Sequence, residues 1–165
     1  MFMNEYRHTI DAKGRMILPA RFREELGTRF VLSRGIDQCL TIYPMEHWQT
    51  LTTSLQKLSF TKSSVRKLRR FLIGSSTEME CDRQGRILIP AHLREYAGLK
   101  KEALVIGTGA TIEIWNPAVL DAANGDDESI ADLAESLDIP SQILLFSLPY
   151  LEKTYFPIYT SIYKK

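Results

Sequence analysis

Asp11-Ala-Lys-Gly-Arg-Met-Ile-Leu-Pro-Ala-Arg-Phe-Arg-Glu-Glu-Leu-Gly27 is answered 71 residues later by Asp82-Arg-Gln-Gly-Arg-Ile-Leu-Ile-Pro-Ala-His-Leu-Arg-Glu-Tyr-Ala-Gly98. Of 17 aligned positions, 8 are identical, and most others are like for like, as Ile17 is to Leu88 and Phe22 to Leu93. An Asp, a Gly, two Arg and a Pro kept in register over that offset imply two copies of one supersecondary unit. The repeated residues are not core residues only. Each copy sets an acid, a turn and an arginine together.

Working outward, each copy reads strand, turn, strand, short helix, strand, strand. Tyr6 to Ile10 alternates as a strand, and the turn that follows uses Gly14 for positive φ. Arg15 to Leu18 is β-prone. Pro19 suits the first position of a helix over 20–26, and Gly27 ends it. Phe30 to Leu32 and Cys39 to Tyr43 close the unit, around a turn at Gly35-Ile-Asp. The second copy predicts strands at 77–81 and 86–89, Pro90, a helix at 91–97, and strands at 103–106 and 111–115.

Between the copies, Trp48, Leu51, Leu55 and Leu58 mark one apolar helical face within 45–58. A second helix, capped by Ser63 or Ser64, turns Val65, Leu68, Phe71 and Leu72 inward. Lys62, Arg66, Lys67, Arg69 and Arg70 line its other face. That basic run reads as a solvated face; contact with DNA or with a neighbouring subunit stays open. Trp48, Trp115 and Phe71 read as core. Asn116-Pro117 opens a third helical region at 118–138, with seven acidic residues and no basic ones. The expected division is 5–48 for repeat 1, 49–75 for the helical insertion and 76–118 for repeat 2. An acidic helical segment at 119–138 and an aromatic, proline-bearing tail at 139–165 follow. That tail docks on the surface, stays partly disordered, or is a foreign extension; the sequence leaves all three open.

At 165 residues, 44% apolar and 25% charged, the composition is that of a globular protein. No run of about 18 apolar residues predicts a membrane span. The N-terminal stretch lacks a signal peptide's apolar core, and two cysteines offer no disulfide framework, so the expectation is a cytoplasmic protein. Residues 1–75 hold 13 Lys/Arg and 6 Asp/Glu, whereas 76–165 hold 8 and 14. That asymmetry allows one basic face for a polyanion, or head-to-tail pairing of subunits.

In Asp-x-x-Gly-Arg the carboxylate can accept backbone N–H groups inside the turn and Gly permits the bend. The Arg then starts a strand, with a guanidinium suited to phosphate or to the O6/N7 edge of guanine. Lys13 and Arg83 sit at the turn tips, and Arg23 and Arg94 follow on the short helices. A plain Asp–Arg staple competes with this reading. An aspartic-protease dyad built from Asp11 and Asp82 is disfavoured, because an Arg four residues on keeps each carboxylate ionised. His8, His47 and His92 are scattered. No zinc spacing, phosphate-binding Gly loop or serine-nucleophile motif is present, so no enzyme, cofactor or small-molecule substrate is expected.

The twin turns, each leading into Pro and an Arg-Glu helix, resemble the MraZ family of bacterial transcriptional regulators. So do Met1-Phe-Met, Gly35-Ile-Asp-Gln-Cys-Leu and Tyr43-Pro44, and the likeness covers residues 1–138. The resemblance implies an α+β fold, mostly β with short helices. Two tandem AbrB-like swapped-hairpin repeats would form one pseudo-twofold unit, with a helical insertion and a C-terminal helical region. It implies homo-oligomeric rings on the nucleoid that bind double-stranded DNA at promoter direct repeats. The implied role is repression of the division and cell-wall gene cluster that includes the regulator's own gene. Arg15 and Arg86 carry over as chief DNA contacts, with Lys13, Arg83, Arg23 and Arg94 around them. Asp11, Gly14, Asp82 and Gly85 carry over as turn organisers. AbrB-like relatives have a further Arg three residues before the Asp; His8 and Met79 stand there instead. The alternative is a ring-forming interaction scaffold, or an antitoxin-like protein, without its own base readout.

Overall fold

The computed structural model describes residues 1–125 and 136–137. The chain divides into two units, Met1–Gly125 and Asp126–Lys165. Most of the acidic segment and all of the aromatic tail lie outside the described residues.

The first repeat supplies β1 (Glu5–Thr9), β2 (Arg15–Ile17), α1 (Ala20–Leu26), β3 (Phe30–Arg34) and β4 (Leu40–Pro44). The insertion is a helical hairpin, α2 (Met45–Lys57) and α3 (Ser63–Leu72). The second repeat supplies β5 (Thr77–Met79), β6 (Arg86–Leu88), α4 (Ala91–Tyr96), β7 (Glu102–Gly107) and β8 (Ile112–Trp115), and α5 (Pro117–Ala123) follows. Six strands form one antiparallel sheet in the order β1-β7-β8-β4-β3-β5, and β2 pairs with β6 in a separate ribbon.

That order reads the same from either end once each strand is exchanged for its repeat counterpart. The pseudo-twofold axis therefore passes between β4 and β8 and between β2 and β6. The repeats are interleaved: β1 lies on β7, β5 on β3, and β2 on β6. This is the swapped-hairpin arrangement within an α+β fold. It also disperses the charge asymmetry of the sequence. Both repeats share one body, and residues 1–125 together hold 18 Lys/Arg and 13 Asp/Glu.

The main core lies between one face of the six-stranded sheet and a cover made by the ribbon, α1 and α4. Leu32, Leu40, Ile42, Val105, Ile112 and Ile114 come from the sheet, Met16 and Ile87 from the ribbon, and Phe22 and Leu93 from the helices. Phe22 anchors it with edge-on contacts to Phe2 and Tyr6 at 5.7 and 5.3 Å between ring centroids. Leu104, Trp115 and Cys39 face the other way, and Val119 and Leu120 of α5 pack on them. The edge strands β1 and β5 carry Glu5, Arg7 and Glu78, charges that discourage further strand addition.

Several local expectations shift. Pro19 and Pro90 are N-caps instead of first helical residues. Each has extended ψ, and its carbonyl accepts the first intrahelical bond, from Arg23 and Arg94 respectively. Neither Ser63 nor Ser64 caps α3; Lys62 precedes it without a side-chain cap. Leu58 and Leu68 are exposed, because the hairpin packs inward through Leu55, Val65 and Leu72. Trp115 is buried as expected, whereas Trp48 and Phe71 are only half-buried. Asn116 does cap α5, its side chain accepting from the Ala118 N–H, with Pro117 at the first helical position.

Candidate nucleic-acid interface

The two turns have the same geometry. Gly14 N–H donates to Asp11 C=O and Asp11 N–H to Arg15 C=O, both at 2.9 Å. Asp11 Oδ1 accepts from the N–H groups of Lys13 and Arg15 at 2.9 Å, and Oδ2 accepts from Arg15 Nε at 2.7 Å. In the second turn Asp82 Oδ1 accepts from Gln84 and Arg86 N–H at 2.9 Å, and Oδ2 from Arg86 Nε at 2.7 Å. The backbone N–H of Arg15, then that arginine's side chain and Lys13 N–H, hold the Asp11 carboxyl below the usual carboxylate range. The corresponding groups of Arg86 and Gln84 do the same to Asp82. Each carboxylate is thus held ionised by its own turn, unlike the dyad of two acids sharing one proton that the protease-like reading requires.

Staple and presented arginine thus coexist. Each guanidinium gives its Nε to the staple. Its two terminal nitrogens have no partner among the described residues. The staple fixes the side chain's direction and leaves the fork that suits phosphate or guanine available.

Each turn is also clasped by the other repeat. Leu18 N–H donates to Gly85 C=O and Ile89 N–H to Gly14 C=O, both at 3.0 Å. Arg23 bonds the Leu18 carbonyl through Nε at 3.0 Å, and Arg94 bonds Ile89 at 3.1 Å. Those guanidiniums lie directly over the opposite repeat's turn. A Cβ built on Gly14 would stand 2.7 Å from Arg94 Cζ, and one on Gly85 2.5 Å from Arg23 Cζ. Gly14 and Gly85 also have φ of +83° and +75°. Arg23 follows its own turn in the sequence, but interleaving puts it on the other repeat's turn. Arg23 and Arg94 therefore each lie against the opposite repeat's turn, a placement that the sequence did not disclose.

Along the ribbon Arg15 faces Leu88, Met16 faces Ile87, and Ile17 faces Arg86. Met16 and Ile87 point into the core at 1% exposure. Strand alternation then turns Arg15, Ile17, Arg86 and Leu88 outward together. Ile17 and Leu88 are 49% and 58% exposed. Neither is singled out by the run Met-Ile-Leu or Ile-Leu-Ile; the signal available was the period of two counted from each arginine. Lys13 and Arg83 are exposed at the turn tips. His8, on β1, is half-buried and its pKa is lowered by burial, while Met79 is buried.

The basic run of α3 is partly consumed by the fold. Arg66 donates to the carbonyls of Phe60 and Thr61, and Arg69 to those of Leu55 and Leu58. Lys62, Lys67 and Arg70 stay exposed. Among the described residues no group of His, Cys, Asp and Glu could hold a metal ion, and no helix is long and apolar enough to cross a membrane.

Fold and site together define a class: an internally doubled swapped-hairpin protein that presents two arginine turns, one at each end of a shared two-stranded ribbon. The family model described as "MraZ protein, putative antitoxin-like" matches residues 1–71 and again 72–124. The chain is 49% identical over 138 residues to the transcriptional regulator MraZ of Desulfitobacterium hafniense strain Y51, covering 83% of this chain and 96% of that one. It is 48% identical over 139 residues to the MraZ regulator of Thermoanaerobacter sp. strain X514, covering 84% and 97%. To that of Moorella thermoacetica it is 54% identical over 116 residues, covering 70% and 81%. The chain belongs to the MraZ family.

Proposed function

We propose that this protein is a sequence-specific DNA-binding transcriptional regulator, acting mainly as a repressor, that reads DNA through its two Asp-x-x-Gly-Arg turns. The observation that carries this reading is the ribbon face. Two arginines, each aimed by its own aspartate, stand diagonally across one ribbon, with Lys13 and Arg83 exposed at the turn tips. The names of the relatives, transcriptional regulators in each case, support it.

In this reading Arg15 and Arg86 contact base edges or phosphates, and Lys13 and Arg83 add phosphate contacts. Arg23 and Arg94 hold the turns and extend the positive surface. Asp11, Gly14, Asp82 and Gly85 keep the arginines in place. The target is direct repeats upstream of the division and cell-wall gene cluster that includes the protein's own gene. The working form is a homo-oligomeric ring on the nucleoid, in the cytoplasm. One arginine turn binds weakly, but several on a ring facing regularly spaced repeats gain effective concentration. Direct repeats suit a cyclic array better than an isolated twofold dimer, which favours a palindrome.

Fluorescence anisotropy on the DNA upstream of its own gene tests this, against scrambled DNA and across a salt series. The expected result is specific binding that weakens steeply with salt as counterions are released. Arg15→Ala/Arg86→Ala should lose about tenfold or more per arginine with unchanged oligomer size. Equal weak binding to both DNAs, untouched by the substitutions, would overturn the reading in favour of an interaction scaffold.

A further inference from the structure

We propose that Ile17 and Leu88 read thymine methyl groups in the major groove, and so are specificity-determining residues of the ribbon. The inference rests on the DNA-reading function proposed above and deepens it. Two large aliphatic side chains stand about half exposed on the face that also presents Arg15 and Arg86, where charge and exposure would favour polar groups. Their strand neighbours Met16 and Ile87 are already in the core, so the fold has no further use for apolar groups at 17 and 88.

The register gives the pair its meaning. Arg15 faces Leu88 and Ile17 faces Arg86, so the outward surface is a two-by-two check of arginine and aliphatic side chains. Groups directly across the strands lie about 5 Å apart at Cβ, and those two residues along a strand about 6.6 Å apart. Bases on one strand of the duplex rise about 3.4 Å each, so every arginine has an aliphatic neighbour one to two base steps away. A two-stranded ribbon fits the major groove, the groove in which thymine shows a methyl group and guanine the paired acceptors that bind arginine. A surface built for phosphate alone would have no reason to carry an isoleucine and a leucine between its cations.

A second copy of the chain is the competing cover for this patch. Face-to-face pairing would set Lys13, Arg15, Arg83 and Arg86 of one copy against the same four of the other, which disfavours it. The polyanion is the occupant that matches both the charge and the apolar pair.

The test compares the upstream DNA of the protein's own gene with the same duplex in which thymines are replaced, one at a time, by deoxyuridine. This change removes only the methyl group. The wild-type chain should lose about fourfold in affinity at one or a few positions, the effect of burying one CH2 group. Ile17→Ala/Leu88→Ala should bind thymine DNA more weakly, be indifferent to the replacement, and keep its melting temperature and oligomer size. If wild-type binding requires Arg15 and Arg86 yet ignores every replacement, the methyl reading is overturned and DNA recognition stands. The methyl reading is equally overturned if the double variant keeps the wild-type methyl sensitivity. If the wild-type chain does not distinguish its upstream DNA from scrambled DNA, the functional reading fails, and the methyl reading fails with it.

Discussion

Gly14 and Gly85 are under two constraints that no other residue type meets. Their φ values of +83° and +75° disfavour a side chain, and the space a Cβ would occupy holds the guanidinium of Arg94 or Arg23. Gly14→Ala should cost about 1–3 kcal/mol through backbone strain and displacement of Arg94, seen as a lower denaturation midpoint. The neighbouring aspartates make stability depend on acid. Each folded-state carboxyl lies below the ordinary value of 3.8, so the unfolded chain takes up protons first as pH falls. Their contribution is present above about pH 4 and is lost as pH drops through the depressed folded value. Urea titrations between pH 7 and 3 should show Asp11→Asn/Asp82→Asn losing less stability on acidification than the wild-type chain. Cys39 gives a third expectation at this scale. Burial pushes its thiol up to about 12, so it should resist alkylation at pH 8 until the protein unfolds.

At the scale of elements, the α2–α3 hairpin shows what a basic run can hide. Arg69 gathers the carbonyls of Leu55 and Leu58 at the end of α2, and Ser33 Oγ donates to Leu72 C=O at 2.9 Å, tying the end of α3 to β3. Arg69→Ala should destabilise the protein by about 1–3 kcal/mol, since a charged donor leaves two carbonyls behind. Lys67→Ala should stay within about 0.5 kcal/mol, because Lys67 is exposed. Thermal melts of the two variants separate the structural from the solvated cations. The run of basic residues was legible in the sequence. Which of them cap the preceding helix was not, because that depends on how two helices fold back over Ser59 to Lys62. The short helices were more legible. Pro19 before and Gly27 after bracket α1, and Pro90 sets the start of α4, whatever the surroundings.

For the whole molecule, the consequential feature is interleaving. No repeat completes its own sheet: β1 needs β7, β5 needs β3, and the ribbon takes one strand from each. The two halves, divided between residues 71 and 72, should therefore fail to fold as separate monomers. Mixed, they should recover the sheet and the ribbon. Circular dichroism and size-exclusion chromatography of each half and of the mixture would decide it. A first half that is folded and monomeric on its own would contradict the pairing.

The sequence by itself determined the doubling, the order of elements within each repeat, and the chemistry of the Asp-x-x-Gly-Arg turn. These follow from local rules: an aspartate caps the N–H groups next to it, glycine takes positive φ, and an arginine one residue on must start the strand. Only the tertiary structure decided that Arg23 sits on the Gly85 turn and Arg94 on the Gly14 turn, and that Ile17 and Leu88 face outward beside the presented arginines. The reason is physical. Local patterning fixes what a segment prefers to be, whereas a strand's partner, and the face it buries, are set by which distant apolar surfaces meet across the pseudo-twofold axis.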